Sequence, residues 1–202
     1  MAEAKRAASN RLWVKDVRVA YAQGLFEARA AKVGDKPKFG AAFLFPATHP
    51  ALKEISTYVI AAAKAKWGDK ADDMLKQLKA ADRLPVHNGD AKASSAGYAG
   101  NFFMNAGNAV RPLILDADAR TPLEAKDGKP YSGCYVNALV EIWAQDNQHG
   151  KRINASLLGV QFVRDGERLA GGSVATANDF EPIPGAGTGD GESAGDPAAL
   201  FA

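Results

Sequence analysis

The longest alternating stretch of the chain lies at residues 131–145, YSGCYVNALVEIWAQ. Its apolar side chains recur at every second residue from Cys134 to Ile142, and the residues between them, Tyr135 to Trp143, share the opposite face. A period of two residues is typical of a β-strand with one buried face. Asp146 to Gly150 then provides a turn, and RINASLLGVQFV, residues 152–163, returns the chain. The stretch therefore predicts the long hairpin of an antiparallel sheet.

Shorter strand patterns precede this hairpin. Residues 11–21, RLWVKDVRVAY, alternate with a slip at Asp16, which predicts a β-bulge. Residues 38–46, KFGAAFLFP, form a second pattern that ends at Pro46, a residue with no N–H to donate to a ladder. The pattern GYAGNFFMNAG, residues 97–107, predicts a third strand with Tyr98 and Phe102 on one face, and RPLILD, residues 111–116, predicts a short fourth.

Residues 48–81 form a helical insertion between these strands. Thr48 is a favourable N-cap, Pro50 suits the start of a helix, and Gly68 is a C-terminal stop. A second helix is expected over residues 70–81. Five or six strands, a helical insertion and no alternation of strand and helix predict an α+β fold, mainly β, built as an antiparallel barrel or sandwich.

The domain organisation follows from composition. Residues 1–10 are expected to be a flexible N-terminus and residues 11–181 one domain, whereas residues 182–202 are rich in Gly, Pro, Ala and acids and predict a disordered acidic tail. No run of roughly 18 apolar residues and no signal-peptide core occurs, so we expect a soluble protein that does not associate with membranes. One cysteine and three scattered histidines predict no disulfide, no metal site and no cofactor.

Charged residues are distributed unevenly along the 202-residue chain. Residues 1–178 contain all 25 Lys and Arg but only 18 of the 23 acids, a net charge of +7, and the remaining five acids follow Arg168. Such a division suggests a polyanionic partner for the basic part. The alternative is a solvated surface that is basic without function.

Candidates for catalysis are few. Asp116, Asp118 and Glu124 resemble the carboxylate cluster of a metal-dependent nuclease, but they lie in a polar connector where solvated acids are common. His87 and Asp90 offer a general base without a nucleophile placed beside it by any motif, and they suit a turn. We therefore predict no enzymatic activity, with a metal-dependent nuclease as the less favoured alternative.

Aromatic residues and cations alternate on the predicted strands. Single-stranded nucleic acid presents bases that stack on aromatic rings and phosphates that need cations. Any one of these aromatic residues could instead fill the core of a barrel. The predicted single-stranded-DNA-binding residues are Lys15, Arg18, Lys38, Phe39, Tyr98, Phe102, Arg111, Tyr135, Trp143, Lys151 and Arg152.

Several strings of the sequence carry a family resemblance: FGAAFLFPATHP, KWGDK, GYAGNFFMNAGNAVRP, YSGCYVN and QFVRDGE. Over roughly residues 10–181 the chain resembles a family of tailed-phage and prophage single-stranded-DNA-binding proteins. The resemblance implies an OB-fold barrel, binding of single-stranded DNA without strong sequence preference, and a role in phage replication or recombination in the bacterial host cytoplasm. The alternative from another class is a β-barrel virion or assembly protein, which would have no reason to keep the charge division.

The C-terminal residues suggest a partner-docking tail. Asp190, Glu192 and Asp196 precede Leu200 and Phe201, an acidic segment ending near an aromatic residue, as in many replication proteins that bind single-stranded DNA. We expect the tail to compete with DNA for the basic domain and to dock on phage or host replication proteins. The alternative is an inert solubilising tail. Self-association into a homo-oligomer stays open at this point.

Overall fold

The computed structural model describes residues 10–30 and 33–169, which form one seven-stranded sheet and two α-helices. The helices are α1, Ala51–Trp67, and α2, Ala71–Ala80. The strands are β1 Arg11–Ala20, β2 Phe39–Pro46, β3 Val86–Asn88, β4 Asn101–Asn108, β5 Leu113–Leu115, β6 Tyr135–Asn147 and β7 Gly150–Arg164. Their order across the sheet is β3-β4-β2-β1-β6-β7-β5, and all neighbours are antiparallel except β5 and β7.

The predicted hairpin of β6 and β7 is confirmed. Its alternating apolar side chains determine which side of the sheet faces the hydrophobic core. Val136, Ala138, Val140 and Ile142 of β6 are completely buried, whereas the residues between them are partly exposed. The inward side chains of β1, β2, β4 and β7 join them in one hydrophobic core. The predicted division of this strand into a buried and an exposed face is therefore confirmed.

The sheet curls into an open barrel. β1 pairs with β2 and β6, β4 pairs with β2, and β7 pairs with β6. β4 and β7 also approach each other, and Asn108 Nδ2 donates a hydrogen bond to the Leu157 carbonyl at 3.2 Å, although no ladder joins β4 to β7 among the described residues. The circuit β1-β2-β4-β7-β6 is that of a partly open OB-fold barrel. The mainly β prediction is confirmed, with an unclosed sheet.

The predicted bulge in β1 is present. The register against β6 shifts between Val14 and Val17, and Asp16 adopts a left-handed φ of 49°. Its N–H donates to Asn137 Oδ1 at 3.0 Å. Because the bulge adds a residue, Val14, Val17 and Val19 all face the core.

The helical insertion covers the barrel beside the β6–β7 turn. α1 packs against β1, β6 and β7, and Trp67 Nε1 donates to Asp146 Oδ2 at 2.9 Å. The prediction of Thr48 as the N-cap is wrong, because the helix begins after Pro50, and His49 Nδ1 accepts the Ala51 N–H at 3.2 Å. Gly68 ends α1 as predicted, with φ at 54°. No helix of the described residues is long and apolar enough to cross a membrane.

Two strands differ from the expectation. Residues 86–88 form β3 although a loop is expected there, because three residues are too few to display a period. β5 is the predicted short strand, but it pairs parallel with β7 in an otherwise antiparallel sheet. The predicted flexible N-terminus, apart from its last residue, and the predicted acidic tail lie outside the described residues.

Candidate nucleic-acid interface

One surface of the barrel collects exposed aromatic and cationic side chains. We call it the outer face, and it is formed by the side chains of β1, β6 and β7 that alternate with core residues. Two of its residues are exposed tryptophans, Trp13 at 44% and Trp143 at 39%. The aromatic and cationic residues of the outer face considered below are Arg11, Trp13, Lys15, Tyr135, Trp143, Arg152 and Arg164.

Strand register arranges these residues along β6. Tyr135 lies opposite Arg164, Trp13 lies opposite Leu139, and Trp143 follows four residues later. Because a strand rises about 3.4 Å per residue, Tyr135 and Trp143 are separated by about 27 Å, with Trp13 level with the midpoint. Cations lie between and beyond the rings: Arg11 is opposite Glu141, and Arg152 is opposite Gln145. The outer face therefore combines rings and positive charges, with Glu141 as an acidic neighbour of Arg11.

Trp143 is held in place by a hydrogen bond at its edge. Its Nε1 donates to Ser156 Oγ on β7 at 2.8 Å. This bond limits rotation of the indole while much of its surface stays exposed. A ring restrained in this way loses little conformational entropy when a base stacks on it.

Tyr135 lies beneath a cation. The guanidinium carbon of Arg164 is 3.4 Å from the centre of the Tyr135 ring, and Arg164 Nη2 lies 3.1 Å from Asp16 Oδ1. The hydrogen bond that Arg164 donates to Asp16 raises the pKa of Arg164 above its ordinary value. One face of the Tyr135 ring is therefore covered, and the exposed flat group at this end of the outer face is the guanidinium.

Of the predicted stacking residues, Tyr98 is a buried core residue and Phe102 is partly buried against the core. Tyr98 is 1% exposed and packs from the loop between β3 and β4 against Leu44 and Phe103. Burial raises its pKa well above the usual range. Phe102 lies directly opposite Phe45 and packs against the main core. The two do not share a strand face, because β4 begins only at Asn101.

Two predicted cations have structural partners. Arg18 donates from Nε to the Gly133 carbonyl at 3.2 Å and from Nη2 to the Glu167 carbonyl at 2.6 Å, so it ties β1 to the segment after β7. Lys151 alternates with Arg152 on β7, which places it away from the outer face, and its Nζ lies 3.7 Å from Asp146 Oδ2. Arg18, opposite Tyr135, is thus bonded to backbone carbonyls, whereas Lys151 is paired with Asp146 on the other side of β7.

The remaining predicted residues form two groups. Lys38, Phe39 and Arg111 lie where the chain enters β2 and leaves β4, away from the outer face, and Arg111 stands 5.9 Å from the Phe26 ring centre. Lys15, Tyr135, Trp143 and Arg152 are brought together on the outer face. The predicted tail residues Asp190, Glu192, Asp196, Leu200 and Phe201 lie outside the described residues.

Comparison with known proteins identifies the family. Residues 10–192 match the family model described as "Enterobacter phage Enc34, ssDNA-binding protein". The chain belongs to this family. Another similar protein is "putative protein p50" of Acyrthosiphon pisum secondary endosymbiont phage 1, 39% identical over 173 residues that cover 84% of this chain and 92% of that protein.

Solved structures agree with this membership. The single-stranded DNA-binding protein from bacteriophage Enc34, in complex with ssDNA, is 25% identical to this chain with a TM-score of 0.67, covering 81% of this chain and 91% of that one. The bacteriophage T7 single-stranded DNA binding protein gp2.5 has a TM-score of 0.50 at 12% identity, covering 91% and 98% of the two chains. The second likeness is one of fold alone.

The acids considered for a nuclease have structural partners in this Enc34-family chain. Asp116 Oδ2 accepts a hydrogen bond from Lys129 Nζ at 2.8 Å, which lowers the pKa of Asp116. Asp118 accepts from the Thr121 hydroxyl at 2.6 Å and from two backbone N–H groups, which lowers its pKa too. Within residues 10–30 and 33–169, no three His, Cys, Asp or Glu side chains are grouped to hold a metal ion.

Sequence reasoning missed three members of the outer face: Arg11, Trp13 and Arg164. The signal for Trp13 was present, since Leu12 and Val14 face inward and the residue between them must face outward. Arg11 follows from the same alternation. Arg164 could not be assigned in this way, because its position over Tyr135 depends on the register of β7 against β6.

Proposed function

We propose that this chain binds single-stranded DNA along the outer face, without strong sequence preference, and protects or organises it during phage replication or recombination. The observation that carries the proposal is the line of exposed rings and cations along β6. Membership in a family described by its ssDNA binding, and similarity to an Enc34 structure that holds ssDNA, support it.

The chemistry of the outer face favours a single strand over a duplex. Trp13 and Trp143 can stack only on bases that are free of a partner strand, and every base has a face that stacks. Lys15 and Arg152 supply charge for phosphates, which carry no sequence information. Binding through rings and phosphates is therefore selective for single strands and tolerant of sequence.

We propose that the protein has no catalytic activity and that it acts in the cytoplasm of the bacterial host. Docking of phage or host replication proteins through Asp190, Glu192, Asp196, Leu200 and Phe201, and assembly of a homo-oligomer, remain predictions from the sequence. A virion or assembly protein is the alternative that a binding experiment must exclude.

The test is a titration of the full chain with a labelled single-stranded oligonucleotide and with a duplex of the same length. We expect tighter binding to the single strand and a salt slope of about −0.7 per neutralised phosphate. A matched Lys15→Gln variant should reduce that slope, whereas Lys76→Gln on α2 should not. Equal affinity for both DNA forms, or an affinity independent of salt, would exclude the proposal.

A further inference from the structure

Asp16 places a carboxylate against one of the cations of the outer face. Asp16 is 55% exposed in the β1 bulge, and its carboxylate meets the Arg164 guanidinium at 3.1 Å. Arg164 starts from β7 and crosses above Tyr135 of β6 to reach Asp16 on β1. The pair therefore spans three adjacent strands of the surface proposed to bind DNA.

We propose that the Arg164 guanidinium is a phosphate-binding position that Asp16 occupies in the absence of DNA, so that Asp16 is an internal competitor that limits affinity for single strands. This inference rests on the proposed function. A carboxylate and a phosphodiester each present two oxygens that share one negative charge, and both can accept from a guanidinium fork. A strand lying along β6 would bring its phosphates to the group that Asp16 holds.

The local backbone selects a residue of this kind at position 16. A left-handed φ of 49° is unfavourable for most side chains and is tolerated by Gly, Asn and Asp. Asn would therefore satisfy the bulge equally well, and the hydrogen bond from the backbone N–H to Asn137 Oδ1 would remain. The negative charge of Asp16 is not required by the fold.

The strength of the pair determines the size of the effect. Both side chains are about half exposed, and exposed ion pairs are weak enough for a DNA phosphate to displace. The packing of the guanidinium against the Tyr135 ring does not depend on Asp16, so Arg164 stays in place when its partner changes. Competition of this kind alters affinity by about two- to five-fold, the range of an exposed pair.

The experiment compares Asp16→Asn with the wild-type chain in single-strand titrations at low and high salt. We expect Asp16→Asn to bind about two- to five-fold more tightly at low salt, with the gain shrinking at high salt because screening already weakens the wild-type pair. The matched control is Asp73→Asn, which removes the same charge and a similar exposed pair, with Lys76 at 3.3 Å on α2. Thermal unfolding of each variant verifies the fold.

A second background separates competition from simple repulsion of DNA. In an Arg164→Gln chain the contested guanidinium is absent, so adding Asp16→Asn should give no gain. An equal gain in that background, an equal gain from Asp73→Asn, or unchanged or weaker binding by folded Asp16→Asn would each overturn the inference. Absence of single-strand binding by the wild-type chain would instead overturn the proposed function.

Discussion

Trp13 and Trp143 are the residues on which the proposed interface most depends. They are large apolar side chains that the core does not use, and they stand on one surface with cations beside them. Leaving such surface in water costs free energy that stacking on a base recovers. Phe43 and Phe45 of β2, in contrast, are buried and stabilise the fold instead.

Replacing Trp13 or Trp143 singly by Ala should weaken binding of single-stranded DNA by about 1–3 kcal/mol, or about 5- to 150-fold, because each removes one stacking position. Affinity is measured by anisotropy of a labelled oligonucleotide. Ile60→Ala is the control, since Ile60 is 42% exposed on α1 and not on a strand of the outer face. Wild-type affinity in both folded tryptophan variants would show that bases stack elsewhere.

Residue-level prediction succeeds where alternation is strict and fails where the surroundings are distant in sequence. The exposure of Trp143 follows from its place in a strand whose alternate residues are Val and Ile. The burial of Tyr98 does not, because it depends on a loop folding over Leu44 and Phe103. The hydrogen bonds of Arg18 likewise cannot be read from its own strand, because they are made to the carbonyls of Gly133 and Glu167.

At the scale of elements, the loop between β3 and β4 covers one end of the barrel surface. Tyr98 fills a small second hydrophobic cluster there with Ala20, Ala42, Leu44 and Phe103. Its hydroxyl is buried and makes no hydrogen bond within the described part of the chain. A buried hydroxyl without a partner stabilises nothing, so the ring alone accounts for the contribution of Tyr98.

Tyr98→Phe should therefore leave stability unchanged or slightly raised and leave DNA affinity intact, whereas Tyr98→Ala should lower the free energy of unfolding by about 3–5 kcal/mol. Denaturant unfolding and an oligonucleotide titration of each variant provide the two readouts. If Tyr98→Phe kept its stability but lost DNA affinity, Tyr98 would belong to the interface after all.

The elements themselves differ in how far the sequence specifies them. The β6–β7 hairpin and the β1 bulge follow from local patterns, because a buried face repeats over many residues. β3 has three residues, and the parallel pairing of β5 with β7 joins segments more than forty residues apart. No local period encodes such pairings, which depend on how the whole sheet packs.

At the scale of the whole molecule, the barrel brings residues that are distant in the sequence together on one surface. Lys15, Tyr135, Trp143 and Arg152 belong to three strands, and the sheet order places those strands side by side. The predicted residues Lys38, Phe39 and Arg111 lie on other parts of the same barrel. Composition and motif resemblance predicted the class of ligand, whereas only the strand order selects which predicted residues share a surface.

The central claim is that single-stranded DNA stacks on the outer face, and tryptophan fluorescence tests it most directly. Trp67, the last residue of α1, donates a hydrogen bond to Asp146 and does not belong to the outer face. The sequence contains three tryptophans, so a Trp67→Phe chain retains only Trp13 and Trp143 as indole reporters. Stacking of a base on an indole quenches its emission. We expect single-stranded oligonucleotide to quench this chain saturably, in parallel with binding measured by anisotropy, and duplex to quench it far less. Full binding of the single strand with unchanged emission would contradict the claim.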